Sequence, residues 1–349
     1  MKQLALCSAM ALSLLLATHA NAQSNTSNAN TARIVTSSNT PVNELLVYNT
    51  DGSSVAQIKT GGMGGVSGNA GGIAQNRELL AVVNFGSKNV TVFAKDSNLG
   101  LHPIALVPAV ANPVSVAIRN NHLYILTTTY IESHAINQLA ISPRPDGAAA
   151  LVVGDGSAAQ VGAMDAELVI SEKSNIIETV NLNQNGAVSG STKTVANIPA
   201  NVNAPFGLAT RHNEAYVTIA HANEISLVRS DAVLTVTGSG TQQAPCWVTL
   251  DGPFLFSSNS PSHSVSRYAV YGQKIVQDAA VVATFQGDPT DIVYRDTLSA
   301  VVDANGSVSH VSIFNVDEDG NFALKAAVTI NNIATNGIAI LRNDDGFNF

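Results

Sequence analysis

His221 in "TIAHANE" and His263 in "SPSHSV" occupy matching contexts, each just after a short β-rich run. As a pair, two imidazoles could serve as base and acid or as ligands, because histidine changes charge near neutral pH. Asp288 and Asp291 bracket Pro289-Thr290, and a carboxylate placed beside such imidazoles could take a proton from water. The same residues also fit a plainer reading, solvated loop histidines and an aspartate opening a turn before proline. Trp247, the only tryptophan, follows Cys246 in "PCWVTL", where it could be a ligand platform or a channel plug. Cys246 alternates with it along the same strand and reads as packing rather than as a nucleophile. The glycine-rich stretches "GGMGGVSGNAGG" and "VVGDGSAAQ" are not followed by helices, so they cannot cradle phosphate on a helix N-terminus. "NVDEDG" at 315–320 imitates half of a calcium loop, but its twelfth position is Ala326 rather than a bidentate glutamate, which leaves a hairpin turn. No cysteine and histidine spacing suits zinc, so the reading contains no metal and no cofactor.

What positions these residues is a repeat. Runs of four to seven β-prone residues bounded by Asn, Asp, Gly and Pro fill the chain, and no stretch carries helical apolar spacing for four turns. The class is all-β. One grammar recurs from Gly71, Pro113, Pro205, Pro245 and Pro289: an apolar strand, a polar turn, a second strand ending in a small polar residue, a loop, and a third strand. A weaker copy near Ala158 lacks the proline. The period of roughly 40 to 48 residues suits four-stranded propeller blades. A parallel β-helix would repeat near 20 residues instead.

The two ends supply the seventh unit. "NGIAILRNDDGFNF" offers only a first strand, whereas "ARIVTSSN", "NELLVYNTDG" and "SVAQIKT" match strands two to four. Residues 32–59 with 336–349 are therefore expected to share one blade, closing a seven-bladed β-propeller over 32–349 without a free sheet edge. In that architecture the loops entering first strands and those leaving second strands open on one face around a central channel. The expected lining is Asn84, Tyr130, Asn259 and Asp303, with Trp247 and Asp288, and the chemistry falls to His221, His263 and Asp291.

"LLAVVNFGSKNVTVFAKDSNLG" and "PCWVTLDGPFLFSSNSPSHSVSRYAV" resemble the lactonase-type propellers, the family of 6-phosphogluconolactonases and of proteins named after carboxymuconate cyclase. The resemblance implies lactone hydrolysis at the channel face. The chain departs from the family where its enzymes carry a carboxylate two residues after the blade proline and an arginine after Ser-Asn. Trp247 and Ser260 stand there, and "NAPFGLAT" replaces a Gly-Pro-Arg-His stretch. The alternative is a non-catalytic propeller that binds a small ligand or a protein partner through its loop face.

Residues 1–22 read as a signal peptide, with Lys2, an apolar run and Ala20-Asn21-Ala22, and 23–31 as a polar tail. A periplasmic or secreted monomer without a membrane span follows. With 17 basic against 25 acidic residues the chain repels phosphate backbones, which argues against nucleic acid. One cysteine beyond the leader allows no internal disulfide, so a core drawn from 45% hydrophobic residues must hold the fold.

Overall fold

The computed structural model describes residues 32–65, 71–198 and 204–342; the proposed signal peptide and polar tail lie outside them. The described residues form seven antiparallel sheets. Blade 1 joins the chain ends in the order Asn336–Arg342, Ala32–Ser37, Glu44–Asn49, Ser54–Lys59, with Ile340 opposite Ile34 and Ala339 opposite Val35. Blades 2 to 7 begin with Ile73–Gln75, Pro113–Arg119, Ala158–Ala163, Pro205–Arg211, Pro245–Asp251 and Asp288–Arg295. Those starts fall within two residues of the sequence anchors, including the one without proline. The first strand of each blade packs against that of the next, from blade 1 through blade 7 and back to blade 1, so the ring is closed.

Physical necessity sets the pattern within a blade. Second strands such as Leu79–Asn84, His122–Thr127 and Glu214–Ile219 are buried at every position, because blades cover both of their faces. A strand of that kind reads as a continuous apolar run rather than an alternation. Outer strands face water on one side and alternate, as in Phe322–Ile330. Blade 3 differs: its outer edge is split into Ala140–Ile141 and Gly147–Ala150, both pairing with Tyr130–Asn137.

The ring is also tied on the side of the turns between first and second strands. Arg119 pairs with Asp165 across blades 3 and 4, and the Asp165 N–H donates to the His212 carbonyl at 3.0 Å. The Arg211 guanidinium donates to the Gly252 carbonyl at 3.1 Å, and the Asp296 N–H to Asp251 at 2.6 Å. Arg342 meets Asp296 at 3.4 Å, and the Gln75 amide donates to the Ile340 carbonyl at 2.6 Å. Six consecutive blade junctions, from blade 3 around to blade 2, thus carry a polar tie.

Candidate functional site

First strands line the channel, so residues at their middle positions decide its chemistry. A chamber of about 280 Å³ is bounded by Trp247, Thr249, Asp291, Gln160, Thr210 and Ile338, drawn from blades 6, 7, 4, 5 and 1. Asp291 is buried, and its carboxylate accepts the Ile292 N–H at 2.8 Å and the Ile338 N–H. Two backbone donors do not offset the loss of water: desolvation pushes this carboxyl up to about 7. Trp247 is buried edge-on against Phe206, with ring centroids 5.2 Å apart, and its indole N–H has no partner among the described residues. A buried donor without an acceptor is costly, so the indole N–H is a strain point in the wall behind the chamber. Gln160 accepts the Leu208 N–H at 2.7 Å through its amide oxygen. Thr249 accepts from the Tyr294 N–H at 3.1 Å, and Thr210 donates to the Ala163 carbonyl at 3.0 Å. A carboxyl that is half ionised near neutrality, together with an amide N–H donor such as that of Gln160, can remove a proton from water and stabilise a carbonyl oxygen.

Two further cavities adjoin the chamber. One, about 340 Å³, shares Gln160, Leu208 and Thr210 with it; the other, about 480 Å³, shares Thr210 and Leu250 and reaches Arg119, Arg211, His212 and Asp251.

The structure separates the residues that the sequence reading grouped. Asp291 and Trp247 meet the chamber. His263, Asp288 and Asp303 gather elsewhere, on the loop face between blades 6 and 7. His263 Nε2 lies 3.0 Å from Asp288, both being exposed, and Asp303 lies 3.1 Å from His310 Nδ1 and accepts the Gly287 N–H. Burial raises the Asp303 carboxyl, while its bond to His310 pulls it back down. His221 stands apart in the short 3-10 turn Ala220–Ala222 of blade 5, exposed and without a side-chain partner among the described residues. Tyr130 is exposed at the start of the third strand of blade 3, away from the chamber. No group of three or more His, Cys, Asp or Glu among the described residues is arranged to hold a metal ion. Burial pushes the Cys246 thiol up to about 12, which leaves it unreactive.

Asn84, Asn259 and Asp303, expected along the channel, serve the interior instead. Asn84 and Asn259 end their second strands and Asp303 lies two residues before the end of its own; each is buried, directly opposite Asn89, Ser264 and His310 of the third strand. The Asn84 amide donates to Asn89 and Thr91, both at 2.8 Å, while its oxygen accepts from Asn43 at 3.0 Å and Thr60 at 2.6 Å. Asn259 accepts from Ser257 at 3.1 Å and donates to Ser264 at 3.1 Å and Ser266 at 2.8 Å. The repeating polar residue is thus a fastener for the turn into the third strand. The register explains it: the position faces the neighbouring blade, where a buried polar side chain survives only when fully bonded. His310 and Gln160 were missed. His310 could have been found by aligning the repeats, since it holds the place of Asn89 and Ser264; Gln160 carries no such signal.

"NVDEDG" is a turn, as its sequence suggests: the Asp317 carboxylate accepts the N–H groups of Asp319 at 3.0 Å and Asn321 at 2.8 Å. Among the described residues, no helix is long and apolar enough to cross a membrane.

No family model matches the chain, and no curated protein matches it by sequence. Solved structures do. A proposed 6-phosphogluconolactonase of Bacteroides uniformis is 12% identical, with a TM-score of 0.66, over 90% of this chain and 100% of that one. The periplasmic gluconolactonase PpgL of Pseudomonas aeruginosa is 12% identical, with a TM-score of 0.63, over 90% and 99%. A streptogramin B lyase is 11% identical, with a TM-score of 0.59, over 78% and 86%. At these identities the likeness speaks for architecture: the chain is a lactonase-like, seven-bladed β-propeller in fold.

Proposed function

We propose that this protein hydrolyses a lactone or a similar small cyclic ester in the channel chamber, outside the cytoplasm. The observation that carries the reading is Asp291, a buried carboxyl pushed up to about 7, on the wall of a cavity that Gln160, Thr210 and Thr249 also line. A general base is most effective when its pKa lies near the working pH. In this scheme ionised Asp291 takes a proton from water as the oxygen attacks the ester carbonyl. The oxyanion that forms is met by the Gln160 amide N–H, whose oxygen is already held by the Leu208 N–H. Collapse of the tetrahedral intermediate breaks the ring C–O bond, and the leaving alkoxide recovers the proton from Asp291. Atoms balance as lactone plus water giving a hydroxy acid, with no cofactor required.

Trp247 stands where the family's enzymes hold a carboxylate, so the acid–base group has moved one blade along. A chamber of about 280 Å³ sits at the lower end of the range for small-molecule sites. The fold likeness to a periplasmic gluconolactonase and the signal-like residues 1–22 support an exported lactonase. His221, His263, Asp288 and Asp303 have no step here: among the described residues His221 has no side-chain partner, His263 is paired with Asp288, and Asp303 with His310.

The test is a panel of γ- and δ-lactones incubated with wild type, Asp291→Asn and Trp247→Phe, with hydroxy acid release measured against the spontaneous rate. Turnover by wild type that drops at least tenfold in Asp291→Asn supports the reading. Absence of turnover across the panel moves the balance to a propeller that binds a ligand without converting it.

A further inference from the structure

The sequence reading assumes that ligand approaches from the loop face. The cavity register points the other way. Along blade 6, the chamber touches Trp247, Val248, Thr249 and Leu250, and the cavity of about 480 Å³ touches Leu250, Asp251 and Gly252. Along blade 5 the corresponding runs are Leu208–Thr210 and Thr210–His212. Along blades 5 and 6 both cavities therefore advance toward the turns between first and second strands; Pro113, Ala158, Pro205, Pro245 and Asp288 line none of the three, and the chamber meets a strand start only at Gly71 and Ile73 of blade 2. Thr210 borders all three cavities and so stands at their junction.

We infer that ligand enters and leaves the Asp291 chamber from this turn side, through an outer subsite formed by Arg119, Arg211, His212 and Asp251, with Thr210 at the neck. The inference deepens the proposed hydrolysis and rests on it for the identity of the ligand, but the route stands on geometry alone. The outer subsite adjoins a cavity of about 480 Å³, ample for a sugar-sized molecule.

Its chemistry is mixed in sign. Arg119 is matched by Asp165, and Arg211 lies 3.9 Å from Glu214, which Arg229 also engages. Asp251 supplies a carboxylate at the same mouth, and the Gly252 carbonyl already accepts from Arg211. Each guanidinium has five N–H donors, more than these contacts use. Charges of both signs with spare donors and acceptors favour a hydroxyl-rich, uncharged molecule, whose groups both donate and accept. They do not favour a polyanion.

Trp247, the only tryptophan in the chain, reports on the chamber directly. The experiment attaches a bulky maleimide at one mouth and measures quenching of its fluorescence by acrylamide, a small neutral quencher. His212→Cys and Asn213→Cys place the plug on the exposed turn side, two independent variants in case one fails to fold. Gln243→Cys places it on the exposed loop-face approach to blade 6. Unlabelled variants and maleimide-treated wild type serve as references, the latter covering any reaction at Cys246. The expected result is a several-fold loss of quenching after labelling at 212 or 213 and none after labelling at 243. Loss at 243 alone, loss at both mouths, or loss at neither overturns the route. Turnover of lactones is followed in the same samples. A wild type without turnover but with the expected quenching pattern sinks the hydrolysis and leaves the route intact. Turnover that survives a turn-side plug sinks the route and leaves the hydrolysis intact.

Discussion

Replacing Asp291 by asparagine should make the folded protein more stable at pH 8 and leave it nearly unchanged at pH 4, apart from a constant offset. Burial raises this carboxyl from 3.8 in the unfolded chain to about 7 in the fold. The folded state therefore holds its proton over a range where the unfolded state releases it. Below pH 4 both states are protonated and the group has no effect on stability. As pH rises from about 4 to about 7 the unfolded chain gains progressively, and above 7 the difference is constant. At about 1.4 kcal/mol per pH unit, the interval between 3.8 and about 7 amounts to roughly 4 kcal/mol lost by wild type. Asparagine has nearly the same shape and an oxygen that can accept the Ile292 N–H, but no ionisable proton. Urea unfolding of both proteins at half-unit steps from pH 4 to 8 measures the difference. Glu172, buried in blade 4 and pushed up to about 8, destabilises both proteins in the same direction, so the difference between them isolates Asp291. A difference that stays flat across this range would refute the buried, neutralised carboxyl, and with it the case for a base of matched pKa.

Asn84→Ala removes four hydrogen bonds inside the sheet interface, while Asn43, Thr60, Asn89 and Thr91 each keep one other; a cost of roughly 2 to 4 kcal/mol in urea unfolding is expected. Ile340→Ala hollows the closing blade, where Ile340 is fully buried opposite Ile34, and should cost about 3 kcal/mol in the same assay. Gly207→Ala would set a Cβ 2.4 Å from the Cys246 carbonyl and 2.7 Å from the Trp247 Cα, so blade 6 must shift; a red shift in tryptophan emission and a loss of roughly 1 to 3 kcal/mol should result. A spectrum identical to wild type would show that the chamber wall tolerates the displacement.

The architecture was legible because repetition exposes itself. Each blade reuses one burial pattern, so Pro113, Pro205, Pro245 and Pro289 mark first strands at or beside their true starts. The composite blade was legible from the unequal ends, three strands' worth at one and a single strand at the other. The site was legible only in part. Trp247 and Asp291 stand out by type, and both reach the chamber. Asn84 and Asn259 misled because the polar residue that ends a second strand looks the same whether it faces solvent or fastens a turn. Only the register with Asn89 and Ser264 decides that. His221 and His263 misled for a different reason: matching positions in neighbouring blades are separated by the angle between blades, so similarity in sequence does not bring side chains together. Which end of the channel is hollow depends on side-chain volumes from several blades at once, Leu208, Thr210 and Leu250 among them. No single stretch of the chain encodes that.

The most direct test of the account is the pH dependence of lactone hydrolysis by the folded protein, corrected for the spontaneous reaction. With Asp291 as the base, kcat/KM should rise with pH through an inflection near 7 and level off above it, and Asp291→Asn should lose both the rate and the inflection. An Asp291→Asn variant that hydrolyses lactones at the wild-type rate with the wild-type profile would contradict the central claim.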